Sequence, residues 1–397
     1  MHLAYFSPLP PARTGIADYS AELLPHLATH VDLTLFHPEP EQVAAALRQQ
    51  FSIQPYSHFQ ANRPQYTLPL YQMGNSTHHT GLYRMALRYP GAVVLHDLVL
   101  HHFIEAITQG QGDEAGYARA MGYALGREPG WLRHYWQLRH QPDRYSVASL
   151  NQILVDRSLL IFTHSQYGQH QLLAQGCRRP IKIIPQPMVS YEAPSQRAIL
   201  NWPDTAVVFA ALGQVTRAKQ VGMALRQFAR LYADFPQARF LLIGEIMGYE
   251  AGLQEELAAL MVEGAVLVTG YVPDLAQFAG WIAAADVILN LHHPTMGETS
   301  ATALRGMAQR KPLIVFNHGW YHELPDAAAL KIPPLDEEAL YQAMRSLAQS
   351  PEMRQTMGGA AAYHIQRYHH PSQVAEQLTT HLHEWLINHS PTQPFTN

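Results

Sequence analysis

Two hydrophobic periods take turns along the chain. Short apolar, β-branched runs alternate with stretches whose apolar positions recur at helical spacing, and turn residues separate the two. The first run, His2 to Phe6, feeds a Pro/Gly loop ending at Gly15, and a helix is expected from Ile16 to Ala28. Further strands are predicted over 31–36, 66–73, 92–95, 159–163 and 181–184. Between about 98 and 160 the pattern is helical, with Trp131, Tyr135 and Trp136 among its aromatics, and another helix is expected near 167–175. Pro185-Gln-Pro187 and a polar run over 190–196 read as a linker. The pattern then restarts, with strands over 206–212, 239–244, 266–269 and 287–291. Helices over 221–235, 249–263 and 275–284 alternate with them, and the last helices cover 337–348, 352–367 and 372–388. A polar tail over 390–397 is expected to fray.

Strand after helix after strand argues for parallel sheets covered on both faces. A chain of 397 residues accommodates two domains of about 200 residues better than one core. The expected architecture is therefore α/β, with two doubly wound parallel-sheet domains facing a cleft. Their bounds are 1–190 and 191–375, with a final helix and tail over 376–397.

One stretch concentrates unusual residues. The apolar run 286–292 meets a Pro-Thr-Met-Gly turn, Glu298-Thr299-Ser300 opens an amphipathic run to about Arg310, and Lys311-Pro312 leads into a strand over 313–316. A small, polar helix N-terminus presents free N–H groups and the positive end of the dipole, which suits a phosphate. Glu298 in the first turn could simply stabilise the helix. It would also repel a phosphate unless it pointed at another group, such as a sugar hydroxyl.

Composition narrows the classes. With 47% apolar and 15% charged residues the chain is globular, and a formal charge of -4 gives no electrostatic case for nucleic acid. The single cysteine, Cys177, rules out an intrachain disulfide framework and fits a reducing compartment. The N-terminus lacks a signal-peptide pattern, and no apolar run reaches the roughly 18 residues of a membrane span. A cytosolic protein is expected, with peripheral membrane contact left open. Of the 24 histidines, His26/His30 and His318/His322 have i, i+4 spacing, but neither pair forms H-E-x-x-H and Gly319 interrupts the second. No metal site is expected.

Candidate chemistry lies in loops after strands. Gly213 lets backbone approach a ligand closely, Lys219 supplies a compact positive charge, and Arg217 is a weaker candidate for the same role. The segment lacks the pattern of a P-loop. Gly15 and Gly74-Asn75 end strands of the first half, where turn glycines are the plain alternative. His96-Asp97 closes a buried strand, a position that faces the ligand crevice of α/β sheets, though a histidine bonded to a neighbouring loop explains it equally. Ser165 lacks G-x-S-x-G surroundings, and no G-x-G-x-x-G follows either domain's first strand, so a serine hydrolase and a dehydrogenase are disfavoured.

Together these pieces resemble the retaining family 4 glycosyltransferases of the GT-B fold. The resemblance is carried by Thr14-Gly15-Ile16, Val94-Leu-His96-Asp97, Gly213 to Lys219, Leu241-Leu-Ile-Gly-Glu245, Thr269-Gly-Tyr-Val-Pro-Asp274, and Gly297-Glu298 to Lys311-Pro312. In order and spacing it covers roughly residues 1–375. It implies transfer of a sugar from a nucleotide-sugar to a hydroxyl of a glycan or lipid-linked acceptor, with retention, no cofactor and no required metal. It implies that the Gly15 loop borders acceptor and diphosphate, that His96 contacts the donor sugar, and that Lys219 holds the diphosphate. Glu298 would accept hydrogen bonds from sugar hydroxyls, with the N–H groups of Thr299, Ser300 and Ala301 near the phosphates. The last helix would cross back to the first domain.

Two positions depart from the family pattern. Arg305 stands where a second glutamate usually faces the ribose, and Gln214 stands where an arginine usually follows the glycine. Arg217 or Arg305 would then replace that arginine's charge. These departures also leave room for a non-catalytic nucleotide-sugar-binding subunit of a glycosyltransferase complex.

Overall fold

The computed structural model describes residues 1–126, 148–246 and 253–389. Trp131, Tyr135 and Trp136, the start of the helix expected at 249, and the tail over 390–397 lie outside the described residues. The chain divides into two compact units. The first holds Met1–Pro187, Met296–Thr299 and the C-terminal helix Pro371–His389; the second holds Met188–Thr295 and Ser300–His370.

The first unit is built on seven parallel strands: β1 His2–Phe6, β2 Asp32–Phe36, β3 Ser52–Gln54, β4 Leu68–Met73, β5 Ala92–Leu95, β6 Leu160–Thr163 and β7 Ile181–Ile183. Their spatial order is β3-β2-β1-β4-β5-β6-β7. Leu3 lies opposite both Leu33 and Leu68, so β1 is a central strand. A central parallel strand needs apolar side chains on both faces. Leu3 and Tyr5 enter one core with Tyr19, Leu23 and Leu27, while Ala4 and Phe6 enter the other with Phe36 and Tyr71. The first core also takes Val374, Ala375, Leu378 and Leu382 of the C-terminal helix, which packs on the Gly15–Leu27 helix.

The second unit repeats the plan with six parallel strands: β8 Val207–Leu212, β9 Ala238–Ile243, β10 Val266–Val268, β11 Val287–Asn290, β12 Leu313–Phe316 and β13 Ala329–Ile332. Their order is β10-β9-β8-β11-β12-β13. Along β8, Val207 and Phe209 face one core and Val208, Ala210 and Leu212 the other.

In both sheets the chain runs outward on one side of the first strand and then outward on the other, which is the Rossmann arrangement. Ligands of such sheets bind where the order reverses, outside the carboxyl ends of the strands. That point lies between β1 and β4 in the first unit and between β8 and β11 in the second.

The structure differs from the sequence pattern in several places. β3 and β13 were not expected; each is a short edge strand of its sheet. The helix expected from Glu298 spans Ala301–Ala308, because the Ser300 side chain caps it by accepting from Ala303 N–H at 3.3 Å. Glu298 and Thr299 therefore precede the helix and are not in its first turn. Among the described residues, no helix is long and apolar enough to cross a membrane.

Candidate functional site

Three loops meet at the reversal point of the second unit. After β8 the chain turns at Gly213, whose φ of +81° only glycine adopts without strain. Gly213 N–H donates to Ile243 O at 2.8 Å, and Val215 N–H to Glu245 O at 2.8 Å, so this loop runs alongside the one after β9. A short 3-10 turn over Arg217–Lys219 then returns Lys219 over the strand, where its Nζ donates to Leu212 O at 2.5 Å.

The segment after β11 fastens to this loop. His293 N–H donates to Ala218 O at 2.7 Å, and the Gln220 amide donates to His293 O at 3.1 Å. His318 Nε2 donates to His292 O at 2.6 Å from the other side. Asn290, buried at the end of β11, organises the helix start. Its amide donates to Thr302 Oγ1 at 2.8 Å, while its Oδ1 accepts from Ser300 Oγ at 3.1 Å and from Tyr321 OH at 2.7 Å.

The outcome is a convergence over Gly213. A β-carbon built there would lie 2.8 Å from Lys219 Nζ and 3.2 Å from Thr302 Cγ2. An ammonium and the first turn of a helix thus flank one bare stretch of backbone. This suits a diphosphate, because N–H groups, a helix dipole and a compact cation all attract its oxygens. Gly213, Lys219, Ser300 and Ala301 come together here. Arg217 is exposed on the same turn. Arg305 is buried on the side of its helix that faces Val189, Tyr191 and Phe278.

In the first unit, Gly15, Asn75 and His96 stand at the carboxyl ends of β1, β4 and β5. Gly15 begins the Gly15–Leu27 helix, capped by Thr14, and has open space where a side chain would be. Asn75 N–H donates to Asp97 Oδ2 at 2.8 Å, and Asn75 Oδ1 accepts from Phe103 N–H at 2.9 Å. His96 has both ring nitrogens occupied: Nε2 meets the Gln72 amide at 2.9 Å and Nδ1 meets His164 Nε2 at 3.1 Å. Tyr19 lies edge-on to its ring at 4.5 Å. Burial, then the neighbouring His164 and His79, hold the His96 imidazole well below its ordinary pKa.

Glu298 also belongs to the first unit. Met296 O accepts from both Leu98 N–H and Val99 N–H at 3.0 Å, and Gly297 sits so close to Leu98 that a β-carbon would approach it to 2.6 Å. The Glu298 carboxylate accepts from Met296 N–H at 2.6 Å, which folds the side chain back over its own loop. It lies near Tyr167, whose hydroxyl is pushed up first by burial and then by this carboxylate.

Three participants escaped sequence reasoning. Asn290 left a signal, a lone amide at the end of an apolar strand. Tyr167 and His164 left none beyond their places after β6. His318 and His322 do not share an α-helix, in keeping with the interruption at Gly319: Gly319–Glu323 is a 3-10 turn, and His322 bonds Asn317.

Comparison with known proteins bears on the fold and on part of the second unit. Residues 206–350 match the family described as Glycosyl transferases group 1. No curated protein matches the chain. Among solved structures it is similar to Anabaena HepE (Alr3699) in complex with UDP-glucose, with a TM-score of 0.69 at 14% identity over 97% of this chain and 100% of that one. It is similar to the sucrose-phosphate synthase of Thermosynechococcus elongatus, with a TM-score of 0.65 at 16% identity over 98% and 100%. A glycosyltransferase from Rickettsia africae gives a TM-score of 0.65 at 12% identity over 98% and 99%. Residues 206–350 thus match the glycosyl transferases group 1 family, in a chain whose two parallel sheets have the GT-B fold.

Proposed function

We propose that the chain is a retaining glycosyltransferase that moves a sugar from a nucleoside-diphosphate sugar to a hydroxyl of a growing glycan or glycolipid. The observation that carries this reading is the meeting of Lys219 Nζ and Thr302 over Gly213, at the reversal point of a sheet within the residues that match the group 1 family. HepE, of the same fold, was crystallised with UDP-glucose, and WaaG, another similar structure, is described as involved in lipopolysaccharide biosynthesis.

In the proposed reaction the bond between C1 of the sugar and the diphosphate oxygen breaks. The acceptor oxygen bonds to C1 on the same face, and its proton passes to the departing phosphate oxygen. Negative charge grows on the diphosphate, where Lys219 and the N–H groups at the start of the Ala301–Ala308 helix neutralise it. These fixed positive groups do the work a divalent cation does elsewhere, so no metal is required. Glu298 accepts hydrogen bonds from sugar hydroxyls once it leaves Met296 N–H. Gly15, Asn75 and His96 border the sugar and the acceptor, Thr299 adds an N–H to the diphosphate, and Arg217 attracts the donor from solvent. The proposed site of action is cytoplasmic, on acceptors in solution or at a membrane face.

The buried Arg305, in place of a ribose-binding glutamate, favours one second reading, a non-catalytic nucleotide-sugar-binding subunit. A thermal-shift panel of UDP-, GDP-, dTDP- and ADP-sugars, with Mg²⁺ and with EDTA, tests the donor site. One nucleotide class is expected to raise the melting temperature in both buffers, and Lys219→Ala to abolish the shift. No shift at millimolar ligand would overturn the donor assignment. With that donor and an acceptor screen, Glu298→Gln is expected to lower turnover on the order of 10²-fold. Binding with no turnover for any acceptor would favour the subunit reading.

A further inference from the structure

We propose that His164 is a positioning residue for His96, fixing that ring with its proton on Nδ1 and its lone pair on Nε2. The inference rests on the transferase reading only for its functional consequence. The geometry stands by itself.

The argument begins at a backbone carbonyl. Ile184 O lies 3.0 Å from His164 Nδ1, and a carbonyl oxygen can only accept, so Nδ1 carries the proton. Burial pushes the His164 imidazole down to about 4, so the ring is neutral near pH 7 and its Nε2 is a bare acceptor. His96 Nδ1 lies 3.1 Å from that acceptor and must donate to it. His96 is held neutral as well, so its own Nε2 is left with the lone pair. One fixed carbonyl thus dictates the tautomers of two rings in series.

The neighbouring amide fits this order once its oxygen and nitrogen are exchanged. As placed, Gln72 Oε1 faces His96 Nε2 at 2.9 Å, which sets an acceptor against an acceptor. At the same time the fully buried Gln72 Nε2 has no partner. Exchanging the amide oxygen and nitrogen, which have nearly the same shape, removes the first fault and replaces the unpaired N–H by an unpaired oxygen. Gln72 Nε2 then donates to His96 Nε2, and the exchanged Oε1 becomes the less costly unpaired acceptor.

The consequence concerns recognition. His96 Nε2 accepts and cannot donate, so a sugar group that takes over from Gln72 must be a donor, a hydroxyl or an N–H, not an ether or carbonyl oxygen. His164 does not touch the sugar in this scheme; it acts through His96.

Long-range ¹H–¹⁵N spectra of ¹⁵N-histidine-labelled protein test the assignment, with His96→Asn used to identify the signal. The expected spectrum has a pyrrole-type Nδ1 and a pyridine-type Nε2 for His96. A pyrrole-type Nε2 in the wild type would overturn the proposal without any variant. His164→Gln keeps one N–H donor and one oxygen acceptor and is expected to preserve the tautomer. His164→Leu removes both and is expected to give a tautomer mixture, with a donor KM raised on the order of tenfold while kcat changes less. Equal KM and kcat in all three proteins would overturn the positioning role. The spectra need no substrate, so absence of transfer beside the expected tautomer would count against the transferase reading alone.

Discussion

Gly213 shows how much one residue can decide. Its φ of +81° is strained for any other residue, and the space a β-carbon would take is already bounded by Lys219 Nζ and Thr302 Cγ2. A 2.8 Å contact cannot stand, and the flexible lysine end is what yields. Gly213→Ala is therefore expected to cost about 1–3 kcal/mol in backbone strain. It should also swing the ammonium off the strand end, weakening nucleotide-sugar binding nearly as much as Lys219→Ala. Calorimetric titration with the donor found in the panel checks this, and wild-type affinity in Gly213→Ala would refute the convergence of lysine and helix. The glycine and the lysine were both legible in the sequence, from their place after an apolar strand and before a helix. Their closeness to Thr302 was not, because it depends on β8 and β11 being neighbours.

At the scale of elements, strand cores were readable as unbroken apolar runs and helix cores from their 3.6-residue period. The edges were not. β3 and β13 hold polar residues, Ser52 and Gln54 in one and Lys331 in the other, in place of an unbroken apolar run, and hydrogen bonds to β2 and β12 make them strands. The helix start shifted from Glu298 to Ser300 because Asn290 and Thr302 hold the serine in capping position, a tertiary effect. The strand ends of the first unit carry a further consequence. Burial lowers both His79 and His164 to about 4. In the unfolded chain both return to about 6.5. Between these values the unfolded state binds more protons, so stability rises with pH. The contribution is complete above about 6.5 and is lost as pH falls towards 4. Urea midpoints are expected to fall from pH 7 to pH 5, and less steeply in His79→Asn. An identical slope in the variant would show that His79 is not buried neutral.

For the whole molecule, the chain's return to its first unit carries a large energetic weight. Val374, Leu378 and Leu382 are fully buried in the core made by β1, β4 and the Gly15–Leu27 helix. Full burial of such a side chain contributes about 1.5–3 kcal/mol, so the three together contribute on the order of 5–9 kcal/mol. That is comparable to the entire stability of a typical domain, about 5–15 kcal/mol. Ending the chain after His370 is therefore expected to unfold the first unit and spare the second, whose cores contain no residue of that helix. Limited proteolysis should then leave a fragment beginning near Met188, while Leu378→Ala, with a cost of about 2–5 kcal/mol, should lower the melting temperature without releasing it. The proposed diphosphate seat at Gly213 and Lys219 belongs to the surviving unit, so the fragment should keep the nucleotide-induced shift. A truncated chain that melts at the wild-type temperature would mean that the C-terminal helix merely lies on the first unit. A fragment that is stable yet blind to nucleotide would move the seat away from the second unit.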